Sequence, residues 1–307
     1  MPCFWADWAE VPLPEGHRFP MDKYRTVRLQ LEGDPSLEGR LQLLRSPLAA
    51  AEDVTRVHCP TYVDAVLHGK LTAAEQRAVG FPWSREHVQR SLASTGGTVA
   101  ATRLVLGSGG RLRCAMQVAG GTHHAHRDKG GGFCVFNDLA CAAAAALADG
   151  SVTRVLLVDL DVHRGDGSAA IFAGDPRVTT FSMHGYNNYG NRSGVPSDYD
   201  IDFQDGAGDA EYLQALGAWL PRLFETHDPQ LVLFQAGVDA LKGDSFGRLA
   251  LSRQGMAARN NAVYTACLQA CVPLVITMGG GYTRPIDASV EAHADVFRTA
   301  ALRFSVW

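Results

Sequence analysis

Apolar residues fall along this chain in two rhythms. Runs of strand length, rich in aliphatic and β-branched side chains, occur at Val155-Leu156-Leu157-Val158, Arg177 to Met183, Leu231 to Ala236 and Pro273 to Met278. Continuous apolar runs of that length, bounded by turn residues, are the pattern of strands buried on both faces of a parallel sheet. Between them the spacing turns helical, at Ser168 to Phe172, at Glu211 to Glu225 with a break expected at Pro221, and at Arg253 to Ala270. Earlier in the chain, Pro12, Pro14 and Pro20 argue against regular structure before a helix over Tyr24 to Leu31. Short amphipathic helices are predicted over Leu41 to Leu44 and Val63 to Leu67. A longer helix runs on from Arg85, where Gly96-Gly97 allows either close packing or a break. The Ala-rich run Cys141 to Ala148 reads as a helix capped by Asn137 or Asp138 and ended by Asp149-Gly150. Strands alternating with helices, several strands closing on Gly plus a functional side chain, predict a doubly wound, mostly parallel sheet flanked by helices.

Composition adds boundaries to this α/β picture. The chain has 307 residues and no Pro/Ser-rich linker, charge block or repeat, so a single domain over 1–307 is expected. Seven cysteines without a CxxC fit a reducing compartment, with Cys267 and Cys271 read as a pair of small buried residues. The formal net charge is −4 with no Lys/Arg cluster, which points away from nucleic acid as a partner. The first residues lack a basic, apolar leader, and no segment approaches the roughly 18 uninterrupted apolar residues of a membrane span. A cytoplasmic protein is expected.

Chemistry gathers where the strands end. In Asp159-Leu160-Asp161-Val162-His163, alternation along a strand would point Asp159, Asp161 and His163 the same way. Carboxylates at a buried strand end need compensation, and a metal ion is the economical one; an acidic turn with a chance histidine is the bland alternative. Ligands of open α/β sheets collect at such carboxyl ends. Asp239 follows another strand as a second carboxylate source, and Gly279-Gly280-Gly281-Tyr282 closes a third. The segment Gly120-Gly121-Thr122-His123-His124-Ala125-His126 is a glycine-shaped loop with tandem imidazoles, against which stands the reading of a surface histidine cluster. His58 and His68 are assigned to structure, and His17 either lines a site or is a structural histidine.

Taken together, G-G-T-H-H, G-G-F-C-V-F-N-D, D-L-D-V-H-R-G-D-G, Q-A-G-V-D and G-G-G-Y resemble the histone deacetylase family of the arginase/deacetylase fold, in that family's order and over most of the chain. The segments H-R-F-P-M-D-K-Y and M-H-G-Y-N-N-Y look closer to class IV and bacterial deacetylase-like proteins. The resemblance implies that Asp161, His163 and Asp239 are zinc ligands, with ferrous iron or cobalt as alternative metals. It implies that His123 and His124 are the tandem histidines, with Asp159 and Asp166 as their carboxylate partners, and that Tyr282 hydrogen-bonds the substrate carbonyl. Gly132, Phe133 and Gly280 would line the acyl-lysine channel, with Tyr186 or Tyr189 as its opposite wall. A structural potassium ion would use Asp159, Asp161, His163, Ser182 and Met183, and a second would draw on carbonyls around Phe172, Asp175 and Val178. Arg164 stands where many relatives carry a second histidine, and the rim residue that grips a peptide backbone in class I enzymes has no counterpart.

These roles imply hydrolysis of an acyl amide, releasing a carboxylate and a free amine. His124 would take a proton from the attacking water and return it to the leaving amine, while His123 stays cationic. Tyr282 would stabilise the developing oxyanion by about 3 kcal/mol. Acyl-lysine in a protein and small acylated amines such as polyamines are the expected substrates. A binuclear ureohydrolase needs further carboxylates for a second metal, but Gly165 and Gly237 occupy those positions. A non-catalytic binding protein of this fold would have lost a ligand, a histidine or the tyrosine, and all are present.

Overall fold

A computed structural model describes residues 1–191 and 194–305. Eight strands form one sheet: β1 (Pro2–Trp5), β2 (Gln42–Arg45), β3 (Cys114–Val118), β4 (Val155–Asp159), β5 (Val178–Gly185), β6 (Tyr199–Phe203), β7 (Leu231–Gln235) and β8 (Leu274–Thr277). Their order is β2-β1-β3-β8-β7-β4-β5-β6, and every neighbouring pair is parallel. Ten α-helices are described: α1 (Lys23–Glu32), α2 (Ala51–Thr55), α3 (Pro60–Leu67), α4 (Ala73–Val79), α5 (Arg85–Gly107), α6 (Asp138–Ala148), α7 (Asp166–Phe172), α8 (Asp209–His227), α9 (Arg253–Ala270) and α10 (Asp287–Phe304).

Alternation in the central strands builds two cores. Leu156 and Val158 of β4 and Val232 and Phe234 of β7 face α1, α8, α9 and α10, whereas Val155, Leu157, Leu231 and Leu233 face α5, α6 and α7. Alanines at 140, 142, 143, 145 and 146 are all buried, so α6 lies close against both the sheet and α5. Strand register aligns Asp159 with Gln235 and Gln235 with Thr277. The carboxyl ends of β4, β7 and β8 therefore finish at one level, where the loops bearing the chemistry begin.

The structure differs from the sequence reading in several elements. Leu41 to Leu44 is not a helix, because four residues beside the edge of β1 gain their backbone partners by pairing as strand β2. Strands β1, β3 and β6 and helices α2, α4 and α10 are additional to those predicted. Pro221 does not break α8 and sits on its exposed face. Cys267 is buried, but Cys271 is exposed at the left-handed C-cap of α9, so the two are not a buried pair. No described helix is long and apolar enough to cross a membrane.

Gly96 and Gly97 give close packing, not a break, within the continuous α5. A methyl group on Gly96 would stand 2.2 Å from the Pro47 carbonyl oxygen, and one on Gly97 would stand 2.2 Å from Gln117 Nε2. In an open helix, Gly→Ala gains about 1 kcal/mol. Here Gly96→Ala is expected to lose roughly 1–3 kcal/mol by overpacking against backbone. Urea unfolding measures it, and a gain in stability would show that residues 47–49 yield.

Candidate active site

Each group expected at the site arrives from a different strand end. Strand β4 stops at Asp159, and residues 160–165 leave the sheet. A loop, not a continuing strand, therefore places the last residues of the D-x-D-x-H segment: Asp159 and Asp161 both reach His123, at 2.6 and 3.8 Å, and Asp161 and His163 also turn to Asp239. One oxygen or nitrogen from each of Asp161, His163 and Asp239 lies within 4.8 Å of the others. His163 Nδ1 is 2.9 Å from Asp161 Oδ1 and 3.1 Å from Asp239 Oδ2.

Surrounding hydrogen bonds fix this cluster. Asp161 Oδ2 accepts from Gln235 Nε2 at 2.7 Å and from the Gly280 amide at 2.9 Å. Asp239 Oδ1 accepts from the Val162 amide at 2.9 Å, and its buried Oδ2 faces only the His163 imidazole, 3.1 Å away. Beneath the loops, the fully buried Arg259 guanidinium donates to the carbonyls of Leu160, Ala236 and Gly237, tying the ends of β4 and β7 together. Burial and the nearby Asp161 push the Asp239 carboxyl up to about 7. Burial alone would lower the pKa of His163, but hydrogen bonds and charge from Asp161 and Asp239 carry it up to about 10. Two buried carboxylates around one imidazole thus retain a proton that a divalent cation would displace. The donor set, two buried carboxylates and an imidazole with one ligand atom each within 4.8 Å of the others, fits such an ion.

The tandem histidines share one local arrangement and titrate in opposite directions. His123 Nδ1 is 2.6 Å from Asp159 Oδ2, and His124 Nδ1 is 2.6 Å from Asp166 Oδ1. Burial opposes the charge on His123, yet Asp159 and Asp161 outweigh it and raise the group to about 9. Burial and the neighbouring His123 hold His124 down at about 4 despite Asp166. Asp166 also reaches His126 Nε2 at 3.2 Å.

Asp161, His163, His123 and His124 line a cavity of about 410 Å³ together with Gly132, Phe133, Tyr189, Gly280 and Tyr282. Gly131 and Cys134 exchange backbone hydrogen bonds of 3.0 and 2.8 Å across Gly132 and Phe133, both left-handed at φ 53° and 66°. That primed-type turn needs positive φ at two successive residues, a strained conformation for Phe133. It sets the Phe133 ring in the throat. Tyr189 stands edge-on to His124 at 4.7 Å, whereas Tyr186 does not line the cavity. Phe246, absent from the sequence reading, also lines it, 4.8 Å from the Tyr282 ring and 6.3 Å from Phe133. Burial, Asp239 and Asp161 push the Tyr282 phenol well above its ordinary range, so its hydroxyl stays a donor.

Other expected residues fall nearby. Ser182 pairs in register with Asp159, and Met183 follows it in β5. The carbonyls of Phe172 and Asp175 accept turn hydrogen bonds from Asp175 and Val178. Arg164 is buried and reaches Asp200 at 2.8 Å and the Val195 carbonyl at 2.6 Å, away from the cavity. His17 bonds to the Gly80 carbonyl and stacks on Phe81, a structural role. His68 is exposed beside Asp64.

Two supporting residues gave only weak signals in the sequence. Lys23, the first residue of α1, is buried, with its ammonium 3.1 Å from the Gly281 carbonyl and 4.6 Å from the Tyr282 ring centroid. Asp138 accepts from the amides of Gly121 and Thr122 and so shapes the histidine loop from the start of α6.

His58 locks the same loop in a single tautomer. Its Nδ1 donates to the His126 carbonyl at 2.8 Å, and its Nε2 accepts from the Asn137 amide at 2.9 Å. Protonating Nε2 would set two donors against each other, and burial holds the group down at about 4. A folded pKa below the unfolded value means the unfolded chain binds more protons. This contribution is complete above about pH 6.5 and lost as pH falls toward 4, by roughly 3 kcal/mol from the shift. Unfolding midpoints measured from pH 7 to pH 4.5 should fall, and His58→Phe should flatten that slope; an unchanged slope would assign the loss to other groups.

The profile of the histone deacetylase domain matches residues 17–297. The chain is 41% identical over 290 residues to an uncharacterized protein of Picosynechococcus sp., covering 94% of this chain and 95% of that protein. It is 30% identical over 297 residues to histone deacetylase 2 of Arabidopsis thaliana, covering 90% of this chain and 73% of that one. To a polyamine deacetylase of Homo sapiens it is 32% identical over 270 residues, covering 80% of this chain and 39% of that one.

Proposed function

The chain belongs to the histone deacetylase family, and from that premise we propose that residues 1–307 form one catalytic domain, a metal-dependent amidohydrolase that removes an acyl group, probed first as acetyl, from a lysine side chain or a related amine. The observation that carries this reading is the convergence of Asp161, His163 and Asp239 within 4.8 Å, with Asp161 and His163 lining a cavity that also exposes two imidazoles and a phenol. A bound divalent ion, zinc by preference and otherwise ferrous iron or cobalt, supplies Lewis acidity toward the acyl carbonyl and lowers the pKa of water.

The remaining work falls to side chains. His124, held neutral, keeps its proton on Nδ1 and donates it in a hydrogen bond to Asp166, which leaves Nε2 to accept a proton as the water oxygen bonds to the carbonyl carbon. That proton then passes to the amine nitrogen as the C–N bond breaks, giving a carboxylate and a free amine. His123, held cationic by Asp159, stabilises the negative charge that develops. Tyr282 donates its hydroxyl to the carbonyl oxygen, and Phe133, Tyr189 and Gly280 bound the acyl-bearing chain. A structural potassium ion is assigned to Asp159, Asp161, His163, Ser182 and Met183.

One catalytic metal is favoured over two. A Cβ at Gly165 would stand 2.3 Å from Asp159 Oδ2, and one at Gly237 would stand 2.2 Å from Asp161 Oδ2. Further carboxylates have no room at either position. The test pairs metal counting with turnover on a fluorogenic acetyl-lysine. Chelated protein should be inactive, and one equivalent of zinc should restore release of the amine. Fully metallated protein that hydrolyses no acyl-lysine or acyl-amine would end the proposal.

A further inference from the structure

The mouth of the catalytic cavity carries charge that the proposed chemistry does not use. Its lining includes Arg18, Arg77 and Arg248, and its sole carboxylate among the described residues is Asp161, which belongs to the metal cluster. Of the three guanidiniums, Arg248 is paired with Asp205 at 3.2 Å. Arg18 has no ion-pair partner among the described residues and lies 5.7 Å over the ring of Phe246. Arg77 likewise makes no ion pair with a described residue. It sits in the last turn of α4, where the carbonyls of Ala78 and Val79 accept from the amides of Gly132 and Phe133. A cation there complements the helix dipole, and the guanidinium remains available to a ligand.

General basicity does not explain this, since the whole chain carries a formal charge of −4. The positive charge is local to the entrance of a narrow, low-dielectric cleft, where such fields select and steer what enters. Deeper in, Phe19, Phe133, Phe246 and Tyr282 make an apolar throat suited to an aliphatic spacer. Resting on the amidohydrolase reading, we propose that this site selects acyl-amines that carry a carboxylate about one lysine side chain away from the scissile amide. The carboxylate meets Arg18 and Arg77 at the mouth. An acylated polyamine, or an acyl-lysine flanked by basic residues, brings a cation to the same place and is disfavoured. The carboxylate can come from a free Nε-acyl amino acid or from acidic residues beside an acyl-lysine in a protein.

The decisive comparison uses metallated protein and two substrates that differ by one charge, α-N-blocked Nε-acetyl-lysine and its carboxamide. The carboxylate should be favoured in kcat/KM by about fivefold to tenfold at low salt, the size of one or two exposed charge-assisted pairs. The ratio should approach one at 0.5 M salt as screening shortens the field, and in the Arg18→Gln/Arg77→Gln double variant. Arg77→Glu should shift preference toward N-acetylcadaverine, with thermal unfolding reporting that the variant is folded. Acidic and basic acetyl-lysine peptides form the protein arm: an acidic peptide outpacing the small carboxylate places the charge on a protein segment, and the reverse places it on a small acyl amino acid. Equal turnover of carboxylate and carboxamide at low salt overturns this inference and leaves the amidohydrolase reading standing. No turnover of any substrate fails that reading, and anisotropy of labelled acidic and basic peptides on metal-free protein then decides the charge preference by itself.

Discussion

Asp239→Asn is expected to yield a folded protein that carries well under one equivalent of metal and has no measurable turnover, while its chelated form unfolds at a higher temperature than chelated wild type above pH 7. The two halves share one cause. Asp239 is fully buried beside Asp161, and its carboxyl is pushed up to about 7, burial first and then repulsion from Asp161. Its folded pKa lies above the unfolded value, so its contribution to stability is present at low pH and lost as pH rises from about 4 through 7. Without a metal ion, the charged form is a liability even beside His163, since burial and Asp161 outweigh that imidazole, and the neutral amide removes it. Asn retains an oxygen for the Val162 amide, 2.9 Å away in the wild type, so the loop after β4 keeps its anchor. With zinc the order reverses. An ion that binds only the folded state adds about 4 kcal/mol at a thousand times its Kd, and wild type gains this while the variant does not. Differential scanning fluorimetry with chelator and with added zinc reads both signs. A variant that binds a full equivalent of zinc would remove Asp239 from the ligand set.

The sheet and the site were legible to different extents, for physical reasons. Strands β4, β7 and β8 announce themselves because they are buried on both faces and so are apolar up to their last residue. Strand β3, Cys114-Ala115-Met116-Gln117-Val118, is equally buried but built from residues of weak strand preference with a glutamine inside, so its composition hides it. Strand β2 exists because β1 offers an edge, a tertiary effect that four residues cannot signal. At the site, residues whose chemistry is their identity were visible: carboxylates and imidazoles beside glycines at strand ends. Position was harder. Periodicity treated Asp159, Asp161 and His163 as one strand face, but the strand ends at Asp159 and a loop carries the other two. Phe246 carries no pattern at all. It joins the cavity because Asp244, two residues earlier, accepts from the amides of Phe246, Gly247 and Tyr282 and folds that loop onto the Gly279–Gly281 turn. Arg259 looks like one more polar position of α9, and only burial reveals it as the clamp beneath the cluster.

Tyr282→Phe should retain one metal per chain and an unfolding temperature close to wild type, and lose about 10²–10³ in kcat with little change in KM. The ring is held by contacts that phenylalanine keeps: Phe246 at 4.8 Å, Phe19 at 6.1 Å and the Lys23 ammonium at 4.6 Å from its centroid. The backbone is held separately, since the Tyr282 amide donates to Asp244 Oδ2 at 2.6 Å. Removing one oxygen therefore removes a donor and little structure. A hydrogen bond that strengthens as the carbonyl oxygen gains charge lowers the barrier more than it tightens the ground state, so the loss belongs in kcat. Burial and the nearby Asp239 and Asp161 keep the phenol protonated, so the donor is present at every pH at which the protein is folded, and the ratio of wild-type to variant kcat should not vary between pH 6 and 9. A loss that instead tracked metal content would make Tyr282 a structural support of the cluster, and full turnover in the variant would leave the developing oxyanion to the metal and His123 alone.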